Sequence, residues 1–395
     1  MLKKSKFGLL AILAATLCVA QQSSVQKEGN HWTSVSNGSL QSVRNLRIQM
    51  EAGSVRVEGG SSQGINYAIH NKSYESGEDR ARRQFESYRL NAYIKGDTAW
   101  LVGEWEGAAP HKFSSDLTVS VPRNLEFVKI ETEGGEVVTT GISGRLEAQS
   151  GGGAIHVDDI GGSVSAETGG GAIDVGNIGG DLRLRTGGGQ IHIGSVKGKV
   201  IAESGGGNLM LVSAAQGASL QTGAGSIRVE KCSGGDLKVE TSGGAIELGE
   251  VTGSVDSETG GGSIKVNFAG GAVKAQTGGG GIELWGVPAA HVETAAGPIV
   301  AKFVAGHGPR ADSLLETGVG DITIYLMPNV NITVDASIEA ATGHSITSDF
   351  SEIKVSSEGG QWEPKLVSAV GRLNGGGPVL KVRTSMGNIF FRRAQ

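Results

Sequence analysis

Short runs in which apolar and polar residues alternate, separated by glycine clusters, dominate the chain from about residue 133. In the segment GGGAIHVDDIGGSVSAET, Ile155 and Val157 flank His156, while Val164 and Ala166 alternate with Ser165 and Glu167. A period of two puts the apolar members on one face of a strand and the polar members on the other. Each unit therefore predicts two short strands, opened by Ile155 and Val164, with glycine at the corners between them. Glycine is expected at these corners because tight turns call for positive φ.

The unit then repeats. Val137, Ile155, Ile173, Ile191, Leu209 and Ile227 follow one another at steps of 18 residues. The series continues through Ile246, Ile264, Ile282, Ile299 and Ile322, where the steps are 19, 18, 18, 17 and 23, the last widened by an insertion around Phe303 to Arg310. A fixed period of this kind specifies stacked coils, each burying its apolar face against its neighbours. Stacking turns the repeat into columns: Val157, Val175, Ile193 and Leu211 on one inner side, and Val164, Leu182, Val200 and Ala218 on the other. A corner column of Ser150, Thr168, Thr186, Ser204, Thr222 and Thr241 offers hydroxyls to the turn backbone or to the next rung. At ~4.8 Å per rung, ten or eleven coils predict a rod of about 50 Å. The expected fold is all-β: a single-stranded parallel β-solenoid (β-helix) of about 18 residues and two main strands per coil, right-handed, with an α+β N-terminal cap.

The flanks read differently. Residues 21–45 look like a flexible polar tether, and residues 46–130 like capping strands with one short helix over GEDRARRQFESY, Gly77 to Tyr88. The regular solenoid is expected over 131–326, followed by irregular final coils and a C-terminal cap over 327–395. Caps are needed because open solenoid ends are adhesive edges.

AGSVRVEGG, DLTVSVPRNLEFVKIETEGGEV, the GGGAI-type coils and the closing GRLNGGGPVLKVRTSMGNIFF together resemble a bacterial family labelled "putative adhesin", a domain of unknown function with Gly-rich β-strand repeats. The resemblance runs over most of residues 45–395 and implies an exported β-solenoid, with no catalytic residues attached.

Composition sharpens this picture. Glycine supplies 66 of 395 residues without a Gly-X-Y repeat, which excludes collagen, and 38% apolar residues exclude a disordered linker. At the start, Lys3, Lys4 and Lys6 precede an apolar run from Phe7 to Val19, and Ala20 offers a cleavage site, so residues 1–20 read as a signal peptide. Leu17 before Cys18 is a poor lipoprotein signal, and the apolar run is too short to span a bilayer. Without the leader, 32 basic residues face 40 acidic ones, a net charge of −8, which argues against nucleic acid or anionic lipid as the main partner. One cysteine, Cys232, then remains, and it falls in a corner column with Ile160, Ile178, Val196, Ala214 and Val251, where a buried small hydrophobe is expected.

Candidate chemistry is sparse. His156, Asp174 and His192 share one outward column on consecutive rungs about 5 Å apart, residue types able to hold a divalent metal. The column runs on as Met210, Arg228, Glu247 and Lys265, however, so a solvated polar ladder is expected, and adjacent Glu240 and Glu258 read likewise. Calcium-binding nonapeptide repeats place an Asp after their glycines; Ala154 and Ile155 stand there here, so that reading fails. The glycine loops lack the Lys-Ser/Thr of a phosphate-binding loop. Near the insertion, Trp285, His291 and His307 form a candidate surface contact, with Trp285 facing outward as a stacking group. No cofactor or resident metal is implied. The expected role is an exported, non-catalytic, adhesin-like binding or structural module of the cell envelope, whether periplasmic, surface-bound or secreted. Its partner would be an envelope component, glycan or protein. The alternatives are an accessory or sensor domain of an envelope-stress system, and a glycan-processing β-helix enzyme working through His307 and Glu293.

Overall fold

The computed structural model describes residues 24–107, 112–303, 311–327, 330–358 and 365–394. Successive coils stack as the period requires. Ile155 pairs with Ile173 and Ile173 with Ile191 in parallel strands, while Val164, Leu182 and Val200 do the same on the opposite side. The alternation does its work in both strands. In Ile155–Ile160 the two isoleucines and Val157 are buried, and in Val164–Thr168 every second residue is buried. Two long sheets result, their central strands parallel, and they share one apolar interior in which Ile155, Ile173 and Ile191 are at most 1% exposed. The chain is a β-solenoid.

The corner column joins coils through its hydroxyls. Thr168 Oγ1 donates to Gly153 O at 2.8 Å and accepts from Gly171 N at 3.2 Å, so one side chain ties two successive corners. Ser150, Thr186, Ser204, Thr222 and Thr259 donate to the equivalent carbonyls at 2.7–2.9 Å. These groups are almost fully buried, and each satisfied hydroxyl contributes about 1 kcal/mol net.

The glycine triplets are there for a different reason from the one the sequence suggested. None of Gly151–Gly153 or Gly169–Gly171 has positive φ. The constraint is the approach of coil to coil: a Cβ at Gly151 or Gly153 would overlap the carbonyl oxygens of Glu133 and Gly135 one rung away. The middle glycine meets nothing, and Ala224 occupies that place in another coil.

At both ends the rungs leave sequence order. Strand Asn45–Met50 and the start of Ser54–Ser73 form a coil in register with Phe127–Thr132 and Val137–Ile142, with Leu46 against Val128 and Val55 against Val137. The chain then leaves this coil, builds Glu78–Ser87 (the helix), Tyr88–Lys95 and Thr98–Trp105, and returns above it. Asn45–Met50 is thus held between Thr98–Trp105 and Phe127–Thr132. The far end mirrors this arrangement. Val379–Met386 lies between Ser313–Val319 and Ile332–Ile338, and Ile389–Arg393 between Ile322–Leu326 and Ile346–Ser348.

Two sequence expectations are corrected here. The 21–45 segment is not a tether over its described part. Ser24–Glu28 and His31–Leu40 form an antiparallel hairpin, and the second strand pairs with Ser54–Ser73 from Trp32↔Ser73 to Leu40↔Ile65. Its polar residues alternate on a strand, a pattern that mean polarity conceals. The stretch LRIQMEAGSVRVEGG, expected as cap, is also a rung of the solenoid itself. Residues 1–20, the expected leader, lie outside the described residues.

The terminal rungs carry the aromatic side chains. On one outer face Tyr93 stacks on Trp100 at 6.2 Å and 4°, and Arg47 lies over both Trp100 (5.2 Å) and Phe127 (5.8 Å). Arg145 closes the series over Phe127 at 4.6 Å. Rings and guanidinium groups tie five strands drawn from residues 45–150, each ring–guanidinium contact contributing about 0.5–1 kcal/mol.

Candidate functional site

The outward ladder expected at His156, Asp174 and His192 is present on three paired rungs. His156 Nδ1 lies 3.3 Å from Asp174 Oδ2, its Nε2 3.2 Å from Glu136 Oε1, and His192 Nδ1 3.9 Å from Asp174 Oδ1. The imidazoles face carboxylates rather than a common point. Among the described residues no group of three or more His, Cys, Asp or Glu has the geometry to hold a metal ion. Glu240 and Glu258 are adjacent, but Glu240 engages Lys238 Nζ at 2.7 Å. Cys232 is fully buried between Ala214 and Val251, and burial raises its thiol pKa, which opposes thiolate chemistry.

Trp285 and His291 are placed on different sheets, and so do not form one contact. His291 lies between Lys274 and Leu314, its Nε2 2.9 Å from Glu293 Oε1. That bond, with a second from Gln276 Nε2 at 3.0 Å, holds the Glu293 carboxyl below the usual range. His307 lies outside the described residues.

On the other sheet Trp285 heads a stripe that the sequence does not disclose. Trp285, Lys302, Tyr325 and Arg392 occupy four successive rungs. The Trp285 and Tyr325 rings are 6.1 Å apart and 24° from parallel. Their backbones are two rungs apart, about 9.6 Å at ~4.8 Å per rung, so the rings lean together across the Lys302 rung. Arg392 extends the stripe, lying 5.3 Å over Phe390 and pairing with Asp349 Oδ1 at 3.0 Å. Phe268, 42% exposed, flanks it. The outcome is a half-buried band of rings and cations on a flat face, able to bind by stacking and by ionic hydrogen bonds. Tyr325 and Arg392 are 67 residues apart in sequence, and only the out-of-order rung brings them together.

Two other concavities carry polar side chains in their lining. A shallow groove of about 650 Å³ at the glycine corner is lined by Glu51, Glu104, Glu131 and Glu167. Burial would raise the Glu131 carboxyl, but bonds from Lys129 and Gln49 outweigh it and hold the group low. A second cavity, of about 430 Å³, lies beneath the helix at the N-terminal end and includes Ser34, Ser36, Asn71 and Arg82. The alternation of polar residues in His31–Leu40 is the sequence signal that would have exposed it.

No helix among the described residues is long and apolar enough to cross a membrane. No curated protein matches the chain. Among solved structures it is similar to a "putative cell adhesion protein" from Clostridium sporogenes, at 8% identity and TM-score 0.20, covering 92% of this chain and 100% of that one. It is also similar to a "putative adhesin" from Bacteroides fragilis, at 11% identity and TM-score 0.26, covering 91% and 96%. A "putative lipid binding protein" from Parabacteroides distasonis matches at 9% identity and TM-score 0.25, covering 74% and 93%. The family model described as Toastrack DUF4097 matches residues 43–365, which take in the regular coils and the out-of-order rungs of the N-terminal end. The chain belongs to the Toastrack DUF4097 family.

Proposed function

We propose that this chain is an exported, non-catalytic binding module of the bacterial cell envelope, and that the Trp285–Lys302–Tyr325–Arg392 stripe is its contact surface. The observation that carries this reading is the convergence of two leaning rings and two cations on one open strand face. Elsewhere on that sheet, cross-rung ion pairs such as Arg228–Glu247 at 2.7 Å and Lys231–Glu250 at 3.3 Å neutralise part of the outer face. The basic residues and apolar run at the start of the sequence support the export part of this reading.

The test is a glycan and envelope-component array probed with the mature protein. Binding is expected, with Trp285→Ala and Tyr325→Ala each lowering affinity at least tenfold and His291→Ala, on the opposite sheet, leaving it unchanged. An array without signal, or binding indifferent to both ring deletions, would remove the basis for the proposal.

A further inference from the structure

At the C-terminal end the second sheet finishes on a strand that buries nothing. Its last strands run Val379–Met386, Ile332–Ile338, Leu366–Leu373 and Lys354–Glu358 in spatial order. Lys354–Glu358 pairs antiparallel with Leu366–Leu373, from Lys354↔Val370 to Glu358↔Leu366, and with no other described strand. All five of its residues are exposed, whereas the strand beside it buries Val367, Ala369 and Leu373. Register puts Val355 on the inward face, in line with Ala369 and Ala336, which are at most 1% exposed; Val355 is 46% exposed. The interior stops one strand short of the edge. One row of backbone N–H and C=O groups on Lys354–Glu358 therefore faces no described strand, the arrangement that invites another chain to pair.

The side chains say which chain. Lys354 opens the strand and Glu358 closes it, with Val355, Ser356 and Ser357 between. Neither charge has an ionic partner among the described residues. The order is self-complementary. Turned about a two-fold axis through Ser356, the strand meets itself antiparallel, with Lys354 opposite Glu358, Val355 opposite Ser357 and Ser356 opposite Ser356. A shift of two residues either way takes both charges off their partners, and a parallel pairing in register sets like against like.

The rows across such a joint match as well. On the outer face Val370 and Lys354 of one copy would stand in line with Glu358 and Leu366 of the other. Val370 and Leu366, 58% and 39% exposed, would then cover the methylene stems of each ion pair. Ser356 already bonds Ser368 at 2.9 Å, so the middle row becomes a line of four hydroxyls. The terminal strands of the opposite end lack this match. In Tyr88–Lys95 a two-fold pairing about Ala92 sets Arg89 against Lys95, and in Ser24–Glu28 one about Gln26 sets Lys27 against Val25.

We infer that Lys354–Glu358 is a self-association edge: two copies of this chain join by antiparallel pairing of this strand, and the second sheet runs on from one copy into the other. The contact uses the same residues on both sides and closes at two copies. It belongs to the other sheet from the Trp285 stripe and acts independently of it. The test is sedimentation equilibrium of the mature chain over a concentration series, which should show monomer and dimer in exchange and nothing larger. Lys354→Glu and Glu358→Lys each set like charges together at both ends of the joint, and each should weaken association about tenfold or more. The double variant Lys354→Glu/Glu358→Lys reverses both charges and should dimerise as the natural chain does. The two single variants, weak alone, should associate when mixed, because each supplies the charges that the other lacks. Trp285→Ala should leave association unchanged. All the substituted charges are exposed, so circular dichroism spectra should coincide, which separates lost association from lost folding. A natural chain that stays monomeric at every concentration would overturn the assignment. So would a dimer indifferent to both single variants, assembly beyond two copies, or a double variant or mixture that fails to recover association.

Discussion

The central coils and the two ends share one hydrogen-bonded ladder but thread the chain through it differently. In the centre each rung follows its neighbour in sequence, corners are rich in glycine, and contacts fall 17 to 19 residues apart, as in Leu209↔Ile227, Ile227↔Ile246 and Val273↔Ala290. At the ends a rung distant in sequence is inserted, so that Ile322 meets Ile389 and Asn45 meets both Thr98 and Phe127. Between Val128 and Leu284, Phe268 is the one Phe, Trp or Tyr, whereas rings gather at both ends. The middle gains stability by repetition, each coil shielding the next. The ends have a neighbour on one side only, and they close by interlocking strands and by ring–guanidinium contacts. Aromatic side chains concentrate where repetition stops.

The strongest way to break this comparison is to delete a rung from each region. Removing residues 187–204, one full period, should leave a shorter solenoid that still unfolds cooperatively, because Ile173 then stacks on Leu209 in the same register. Truncation before Val379 should instead abolish soluble folding. Leu380, Val382, Ile389 and Phe391 are each fully buried, and at ~1.5–3 kcal/mol apiece their loss rivals the whole stability of about 5–15 kcal/mol usual for a domain. Circular dichroism with light scattering distinguishes the two outcomes, and equal damage from both deletions would show that the ends are no more interlocked than the middle.

A finer contrast lies within one corner. Gly153→Ala should lower stability by several kcal/mol, since its Cβ meets the Gly135 carbonyl one rung away, whereas Gly152→Ala should change it by less than about 0.5 kcal/mol. Denaturant midpoints at constant m-value measure both. Equal effects would return the explanation to backbone φ.

The smallest expected effect tests the N-terminal end through pH. Burial alone would raise the Asp116 carboxyl, but the bond from Ser54 Oγ and the Lys72 ammonium at 3.0 Å outweigh it, and its pKa is held low. A depressed folded-state value gives stability that is fully present above the unfolded pKa of ~3.9 and is lost as pH falls through the folded value. The gap in melting temperature between the natural chain and Asp116→Asn should therefore be modest near neutrality and shrink below about pH 4. A gap that widens in acid would show the carboxyl to be raised.

Much of the centre was legible in the sequence, because stacking converts a spatial neighbour into a fixed offset. The columns of Ile155, of Val164 and of Thr168 could be read directly, as could the burial of Cys232. The role of the glycines was misread, since a triplet looks the same whether the constraint is a dihedral angle or a carbonyl one rung away. The hairpin at 24–40 was missed because its strands are polar on both faces, one turned to solvent and one to the cavity beneath the helix. The Trp285 stripe was read only in part: Trp285 stood out as an outward ring, but Tyr325 and Arg392 carried no signal linking them to it.

The sequence by itself determined the repeating unit, its two strands and which side chains point inward, because alternation and period are local properties repeated often enough to leave no other register. The tertiary structure alone decided which rungs close the ends, which rings meet cations and where polar groups face a cavity. Those contacts join segments whose separation follows no period, and they exist only once both sheets have formed and the terminal strands have taken the places left between them.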